Sequence, residues 1–353
     1  MSRSGSNSTL RAALAALPKI DLHRHMEGSL RLTTLRDIAL QYHLDLPVRD
    51  IEELRPYVQV MNDEPNYRNF LEKFNVLRRF YQSPETIQRL TYEVIEDGFR
   101  DNVKYLELRF TPPALSKTRG YPLHEVADWV LAAVEKARQD FPGMHVELIA
   151  SINRHESLAI AEKVAQIAVD HKEDIVGLDL AGDEVNYPTA PFAGLFRDAR
   201  KEGLGIVVHA GEWTGPATVR EAIEDLGAMR IGHGVRVVED PSVAALARER
   251  GIAFEVCVTS NLQSGVIQRI TDHPLREMFR MDLKATINTD DPSISNINLT
   301  DEYEVAVEDL GFTPDEIKRA ILTSASCAFQ LPAVRERLVK QFKEALGLNT
   351  RHP

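Results

Sequence analysis

Two histidines one residue apart, His23 and His25, are the first side chains in the sequence with the type and spacing for chemistry. On an extended strand, positions two apart project to the same side. The pair can therefore offer two neutral imidazoles to a borderline-soft divalent ion such as zinc. Alone, such a pair is equally consistent with surface or core histidines. His209 and Asp290 shift that balance, since each lies at the end of a strand-like run, and the four residues make a His₃Asp set with room for a water or hydroxide. Three positions after His209, in His209-Ala210-Gly211-Glu212, stands Glu212. It is either an acidic first-turn residue favoured by a helix dipole or a general acid/base whose pKa burial can raise. Gly211 permits a tight turn and close backbone approach, which favours the second reading. His233, flanked by Gly232 and Gly234, reads as a catalytic imidazole, or as a core histidine satisfied by a carbonyl. Gly182 is a turn glycine or a backbone N–H offered to a planar substrate. Asp290 and Asp291 are adjacent, and on a strand they would point to opposite sides. One would then ligate the metal while the other orients water or a ring nitrogen.

Eight runs of strand type must position these groups: Lys19–Leu22, Val103–Phe110, His145–Ser151, Ile175–Leu180, Gly205–His209, Met229–Ile231, Ile252–Cys257 and Ala285–Asn288. Helical patterns separate them. Ser83-Pro84-Glu85, Asp240-Pro241 and Thr313-Pro314 mark helix starts, and Gly251 stops the helix that begins at Pro241. Strands alternating with helices predict parallel pairing through crossovers, and eight such units can close into a (β/α)₈ TIM barrel. The strands' carboxyl ends then meet on one face, so residues scattered from 23 to 291 share one cleft. An open doubly wound sheet is the competitor, but no GxGxxG or GxxxxGK[ST] motif supports a nucleotide-phosphate cradle. Met61, Phe70 and Phe74 fit either core positions or a lid over the pocket.

Composition narrows the class further. The chain has 353 residues, 43% hydrophobic and 27% charged, enough to bury a large core as a single domain over residues 1–353. Lys+Arg total 42 against Asp+Glu 53, a net charge of −11 that argues against a nucleic-acid partner. Cys257 and Cys327 lie far apart and offer neither a disulfide framework nor a thiolate cage. No apolar run has the length of a membrane span, and the polar residues 1–9 read as disordered rather than as a signal peptide, so a cytoplasmic location is expected. His43, His124, His145, His155, His171, His273 and His352 have no partner spacing and are set aside, most of them as solvated.

From Pro18 to about Ala328 the sequence resembles the adenosine deaminase family of zinc-dependent purine deaminases. The resemblance is carried by Pro18-Lys19-Ile20-Asp21-Leu22-His23-Arg24-His25, Leu180-Ala181-Gly182-Asp183-Glu184, His209-Ala210-Gly211-Glu212, Ile231-Gly232-His233-Gly234 and Asn288-Thr289-Asp290-Asp291-Pro292. It implies a (β/α)₈ barrel with a helical lid near the amino terminus. It also implies one zinc ion held by His23, His25, His209 and Asp290. Glu212 would protonate purine N1, His233 would stabilise the attacking hydroxide, Asp291 would contact N7, and Gly182 would give its N–H to N3. The implied reaction is hydrolytic deamination of adenosine or 2′-deoxyadenosine.

One departure bears on substrate. Where adenosine deaminases usually read Leu-Asp-Gly, with the aspartate near a ribose hydroxyl, this chain has Met26-Glu27-Gly28. Glu27 resembles the adenine deaminase and aminofutalosine deaminase branches. Cys257-Val258-Thr259-Ser260-Asn261 and Leu299-Thr300-Asp301-Glu302-Tyr303 look adenosine-type. Glu27 could reach a ribose hydroxyl or favour a different 5′ substituent. The fourth strand carries no lysine to bridge two metals, which argues against a binuclear amidohydrolase. A nucleoside-binding barrel without turnover is the non-enzymatic alternative.

Overall fold

The computed structural model describes residues 8–47, 50–61 and 63–348. Eight strands pair in sequence order: β1 (Lys19–His25), β2 (Val103–Phe110), β3 (His145–Asn153), β4 (Ile175–Ala181), β5 (Gly205–Ala210), β6 (Arg230–His233), β7 (Ala253–Val256) and β8 (Lys284–Ile287). Every pairing is parallel. The ring closes just beyond β8, where Asp290 bridges to Arg24. There Asp290 N–H donates to the His23 carbonyl at 2.8 Å, and His25 N–H donates to the Asp290 carbonyl at 2.8 Å. The chain is thus a (β/α)₈ barrel. Its strands are covered by side chains inside and helices outside, which is why they read as apolar runs rather than as alternating patterns. β5, for example, is buried at all six positions.

Helix starts follow the sequence signals. Ser83 and Thr86 form a capping box ahead of Pro84–Arg100, and Thr313 and Glu316 form another ahead of Pro314–Cys327. Asp240 caps Pro241–Glu249, and Gly251 follows at φ +66°. The amino terminus departs from expectation. Ser8 and Thr9, read as disordered, begin the helix Ser8–Ala16, which buries Leu14. Arg11 anchors this helix through Asp301 at 2.6 Å and Glu304 at 2.7 Å, partners far away in sequence. Residues 1–7 lie outside the described residues.

Between β1 and β2 stand the helices Leu32–Gln41, Ile51–Val58 and Tyr67–Leu77. The last supplies Phe70 and Phe74 to the wall of the catalytic-face cavity, with Phe70 buried as well, while Met61 is exposed. Phe70 therefore belongs to the core and also lines the cavity. At the opposite end Phe329 plugs the barrel floor against Ile149 and Val207. A Cβ at Gly205 would lie 2.3 Å from the Phe329 ring, so the plug needs a glycine there. Above it runs a buried chain of charges. Arg230 lies 3.5 Å from the Phe329 ring centre and pairs with Glu107 and Glu255, and Glu255 also pairs with Arg109 and His23. Each charge inside the barrel is compensated by the next.

Candidate functional site

The end of β1 places His23 and His25 side by side, with their Nε2 atoms 3.2 Å apart. His25 Nε2 lies 3.3 Å from His209 Nε2, at the end of β5. Asp290 Oδ1 is 3.2 Å from His23 Nε2 and 3.4 Å from His25 Nε2. All four donor atoms fall within 4.8 Å of one another. The far ring nitrogens are held from behind: His209 Nδ1 lies 3.0 Å from Asp179 Oδ1, and His23 Nδ1 lies 2.9 Å from Glu255 Oε2. Each Nδ1–H donates to a carboxylate, turning the Nε2 lone pair inward. Burial holds His209 below the usual imidazole range and His25 well below it, so both are neutral as ligation requires. Converging lone pairs repel one another unless a cation lies between them. Tetrahedral zinc, with Zn–N bonds near 2.05 Å, requires donors about 3.3 Å apart, which is the spacing observed. The four residues therefore fit a divalent metal. A second grouping of His233, Cys257 and Asp290 shares the aspartate. Burial, then Asp290, pushes the Cys257 thiol well up, leaving it neutral and a poor ligand.

Glu212 sits on the loop after β5, where Gly211 turns at φ +64°. The loop is fixed by Glu184, whose Oε1 accepts the backbone N–H groups of Glu212 at 2.9 Å, Trp213 at 2.5 Å and Thr214 at 2.6 Å. Burial, then Asp290 and Glu184, drives the Glu212 carboxyl well above the usual carboxylate range. A carboxyl raised in this way is suited to proton donation. His233 Nε2 lies 3.7 Å from Glu212 Oε2 and 3.8 Å from Asp290 Oδ2. Its backbone is left-handed at φ +56°, a conformation that non-glycine residues adopt where the surroundings enforce it.

A hydrogen-bond relay fixes the His233 tautomer. Leu275 N–H donates to His273 Nδ1 at 3.0 Å, so the His273 proton is on Nε2, which lies 3.1 Å from Asn261 Oδ1. The Asn261 amide then donates to His233 Nδ1 at 3.2 Å and to Glu212 Oε1 at 3.4 Å. His233 consequently carries its proton on Nε2, facing the metal donors.

These groups end in a cavity of about 560 Å³ lined by His25, Gly182, Glu212, His233, Asp290 and Asp291 among others. Glu27 lines it too; its Oε1 accepts Thr111 N–H at 2.6 Å, while Oε2 is buried without a partner. Asp291 Oδ1 is also buried and unpartnered, and burial, then Asp290, pushes this carboxyl well up. Both oxygens are set to meet a ligand.

His25, Glu27, Gly182, His209, Glu212, His233, Asp290 and Asp291 thus line one cavity, with His23 buried behind His25, but two expectations need correction. Asp290 and Asp291 do not point to opposite sides. They lie beyond the end of β8, and the left-handed backbone of Asp290, φ +60°, brings both carboxylates to the same cavity. His273 is not solvated but buried in the relay, and His155, though exposed, lines the cavity. His352 lies outside the described residues. Sequence spacing missed Asp179, Glu255, Glu184, Asn261 and Ser260, whose Oγ donates to Asp290 Oδ2 at 2.6 Å. Asn261, Ser260 and Glu184 stand inside the motifs quoted above, so a signal existed for those three.

Fold and donor set together define a metal-dependent hydrolase barrel. The adenosine deaminase family model matches residues 18–345, and the chain belongs to that family. An adenosine deaminase of Klebsiella pneumoniae (strain 342) is 36% identical over 327 residues, 93% of this chain and 98% of that protein. Among solved structures, an adenine deaminase from Arthrobacter aurescens superposes with a TM-score of 0.86 at 28% identity, covering 94% of this chain and 99% of the other. An amidohydrolase from Burkholderia ambifaria with bound Zn gives a TM-score of 0.87 at 25% identity, covering 99% and 97%.

Proposed function

We propose that this chain deaminates adenosine and 2′-deoxyadenosine to inosine and 2′-deoxyinosine, as a single-domain cytoplasmic enzyme of purine metabolism with one zinc ion per chain. The observation that carries the reading is the convergence of three imidazole nitrogens and the Asp290 carboxylate beside the raised carboxyl of Glu212. His23, His25, His209 and Asp290 would hold the metal, whose chemistry when bound is to make water nucleophilic at neutral pH.

The remaining roles belong to the protein's own side chains. Glu212 donates its proton to purine N1, which makes C6 electrophilic. His233, with its proton on Nε2, donates a hydrogen bond to the oxygen that adds to C6. Asp291, whose carboxyl burial raises, faces N7, and Gly182 offers its backbone N–H to N3. The oxygen of water adds to C6 and the C6–N bond breaks; one water proton passes to the leaving amine and the other replaces the one Glu212 gave to N1, so adenosine and water become inosine and ammonia. Glu27 Oε2 faces the ribose, one methylene further out than an aspartate would place it. The greater identity to an adenosine deaminase than to the adenine deaminase, 36% against 28%, supports the nucleoside.

Glu212→Gln tests the assignment. The variant should fold, retain one equivalent of zinc and lose roughly 10³-fold in turnover, while wild type should release ammonia faster from adenosine than from adenine. Retained activity in the variant removes Glu212 from its role, and a preference for adenine removes the nucleoside reading.

A further inference from the structure

Arg154 directly follows β3 and is 3% exposed, yet among the described residues no carboxylate forms an ion pair with it. Its two terminal nitrogens are directed at main-chain carbonyls instead. Nη2 donates to the carbonyl of His209, and Nη1 donates to the carbonyl of Tyr187 at 3.1 Å. The backbone N–H of Arg154 donates to the Ala181 carbonyl at 2.9 Å. One residue therefore holds the ends of β4 and β5 and the loop that leaves β4.

These points of attachment belong to different parts of the candidate site. The β4–β5 ladder ends with Leu180 opposite Val208, one residue before His209. Arg154 takes over the carbonyl of that metal-donor residue where strand pairing stops. Ala181 and Tyr187 bracket the segment that contains Gly182, the N–H donor assigned to N3. Gly182 sits at φ +91°, and a Cβ there would lie 3.7 Å from the Arg154 nitrogen. The same segment carries Glu184, whose Oε1 accepts three N–H groups of the Glu212 loop. Burial works against the Arg154 charge, and Glu184 is the strongest of the charges that sustain it, ahead of Asp179. Arg154 Nε and Glu184 Oε2 are each buried without a hydrogen-bond partner, so charge rather than a direct bond links the two residues.

We propose that Arg154 is a positioning residue, which sets the metal donor His209, the N3-facing Gly182 and, through Glu184, the proton donor Glu212 in register with one another. Asn153 and His155 on either side of it line the cavity and Arg154 does not, so it acts without touching substrate. The inference rests on the deaminase reading above for the roles of Gly182 and Glu212. A planar guanidinium presents two nitrogens to two carbonyls at once, whereas a lysine ammonium is a single point charge on a flexible stem. Arg154→Lys therefore keeps the charge beside Glu184 and gives up the bridge between His209 and Tyr187.

The test compares full-length wild type, Arg154→Lys and Arg154→Ala, with Arg138→Lys as the control. Arg138 also donates to a main-chain carbonyl, that of Val146 at 2.6 Å, but at the opposite end of β3. With zinc saturating and adenosine as substrate, both Arg154 variants should lose about 10²-fold in kcat while KM changes by less than about threefold. Zinc affinity of the metal-free proteins, read by chelator competition without turnover, should weaken by about tenfold in both. Arg138→Lys should match wild type in all three quantities. If Arg154→Ala does not fold, Arg154→Lys carries the comparison, its fold checked by circular dichroism and thermal melting. A lysine variant that matches wild type in either kcat or zinc affinity overturns the proposal, as does a loss confined to KM or an equal loss in Arg138→Lys. If wild type deaminates no adenine compound, the functional reading fails instead. The hold on His209 is then judged by zinc affinity alone, and undiminished binding in Arg154→Lys overturns it.

Discussion

Replacing His273 by glutamine isolates one buried titration from all the others in the molecule. Glutamine can still donate to Asn261 Oδ1 but has no ring to protonate. Burial holds His273 at about 3, against 6.5 for an ordinary histidine. Between those values the unfolded chain takes up a proton that the folded chain refuses, so folding stability contributed by this residue is complete above pH 6.5 and lost as pH falls towards 3. Each tenfold step in proton affinity is worth ~1.4 kcal/mol, so acidifying from pH 6.5 to 5 removes about 2 kcal/mol. At ~2.1 cal/mol/K of unfolding entropy per residue, that is a fall in Tm of about 3 °C for a chain of this length. The assay is a pair of thermal melts, wild type and His273→Gln, both metal-free and each at pH 7 and pH 5. The metal-donor residues then titrate alike in both proteins. The variant should melt lower at pH 7, and that deficit should narrow by about 3 °C at pH 5. A deficit that is the same at both pH values would refute a neutral, sequestered His273, and with it the tautomer assigned to His233 through Asn261.

Two further outcomes follow from the packing around the site. A Cβ at Gly28 would lie 1.7 Å from Asp291 Oδ1, and the Gly28 carbonyl is held by Ser293 N–H at 2.9 Å, so the aspartate rather than the backbone must give way. Gly28→Ala should keep its zinc yet lose about 10²-fold in kcat/KM for adenosine, measured by ammonia release. Glu302 accepts the N–H groups of Val258 at 2.8 Å and Thr259 at 3.1 Å, and burial raises its carboxyl to about 7. Its folded pKa lies above the unfolded value of 4.5, so its contribution is present below pH 4.5 and lost as pH rises through 7. Glu302→Gln should therefore gain on wild type by up to ~3 kcal/mol between pH 5 and pH 8 in urea unfolding; parallel pH profiles would contradict this.

Much of the architecture was legible because parallel barrel strands leave an unusual trace. Each is a short apolar run between helix caps, and all eight runs read from sequence overlap the observed strands. The residues that converge on the candidate site were legible for a related reason: the polar residue that ends an apolar run stands out. What the sequence concealed obeys other rules. Asp179, Glu255 and Glu107 are charges within strands, where periodicity predicts apolar side chains, and only the closed barrel reveals the cations and imidazoles that compensate them. The two aspartates were misread because strand alternation was applied beyond the strand, at a residue in the left-handed region. His273 was discounted because its partners Asn261 and Leu275 are not at metal-ligand spacing, and the turn that brings them together has no periodic signature. The first helix was missed because its stabilising partners, Asp301 and Glu304, come some 290 positions later.

The Phe329 plug bears on how such a chain is made. Phe329 N–H donates to Glu107 Oε1 at 2.7 Å, and the Cys327 carbonyl accepts from Arg230 at 2.8 Å. Residues near position 330 therefore complete the charge chain that reaches His23 at the opposite end of the barrel. On the ribosome all eight strands emerge before that segment does. Until it arrives, the nascent barrel holds Arg230 and Glu107 without their last partners and has an open floor. The charges inside the barrel thus gain their last partners only after every strand has been made.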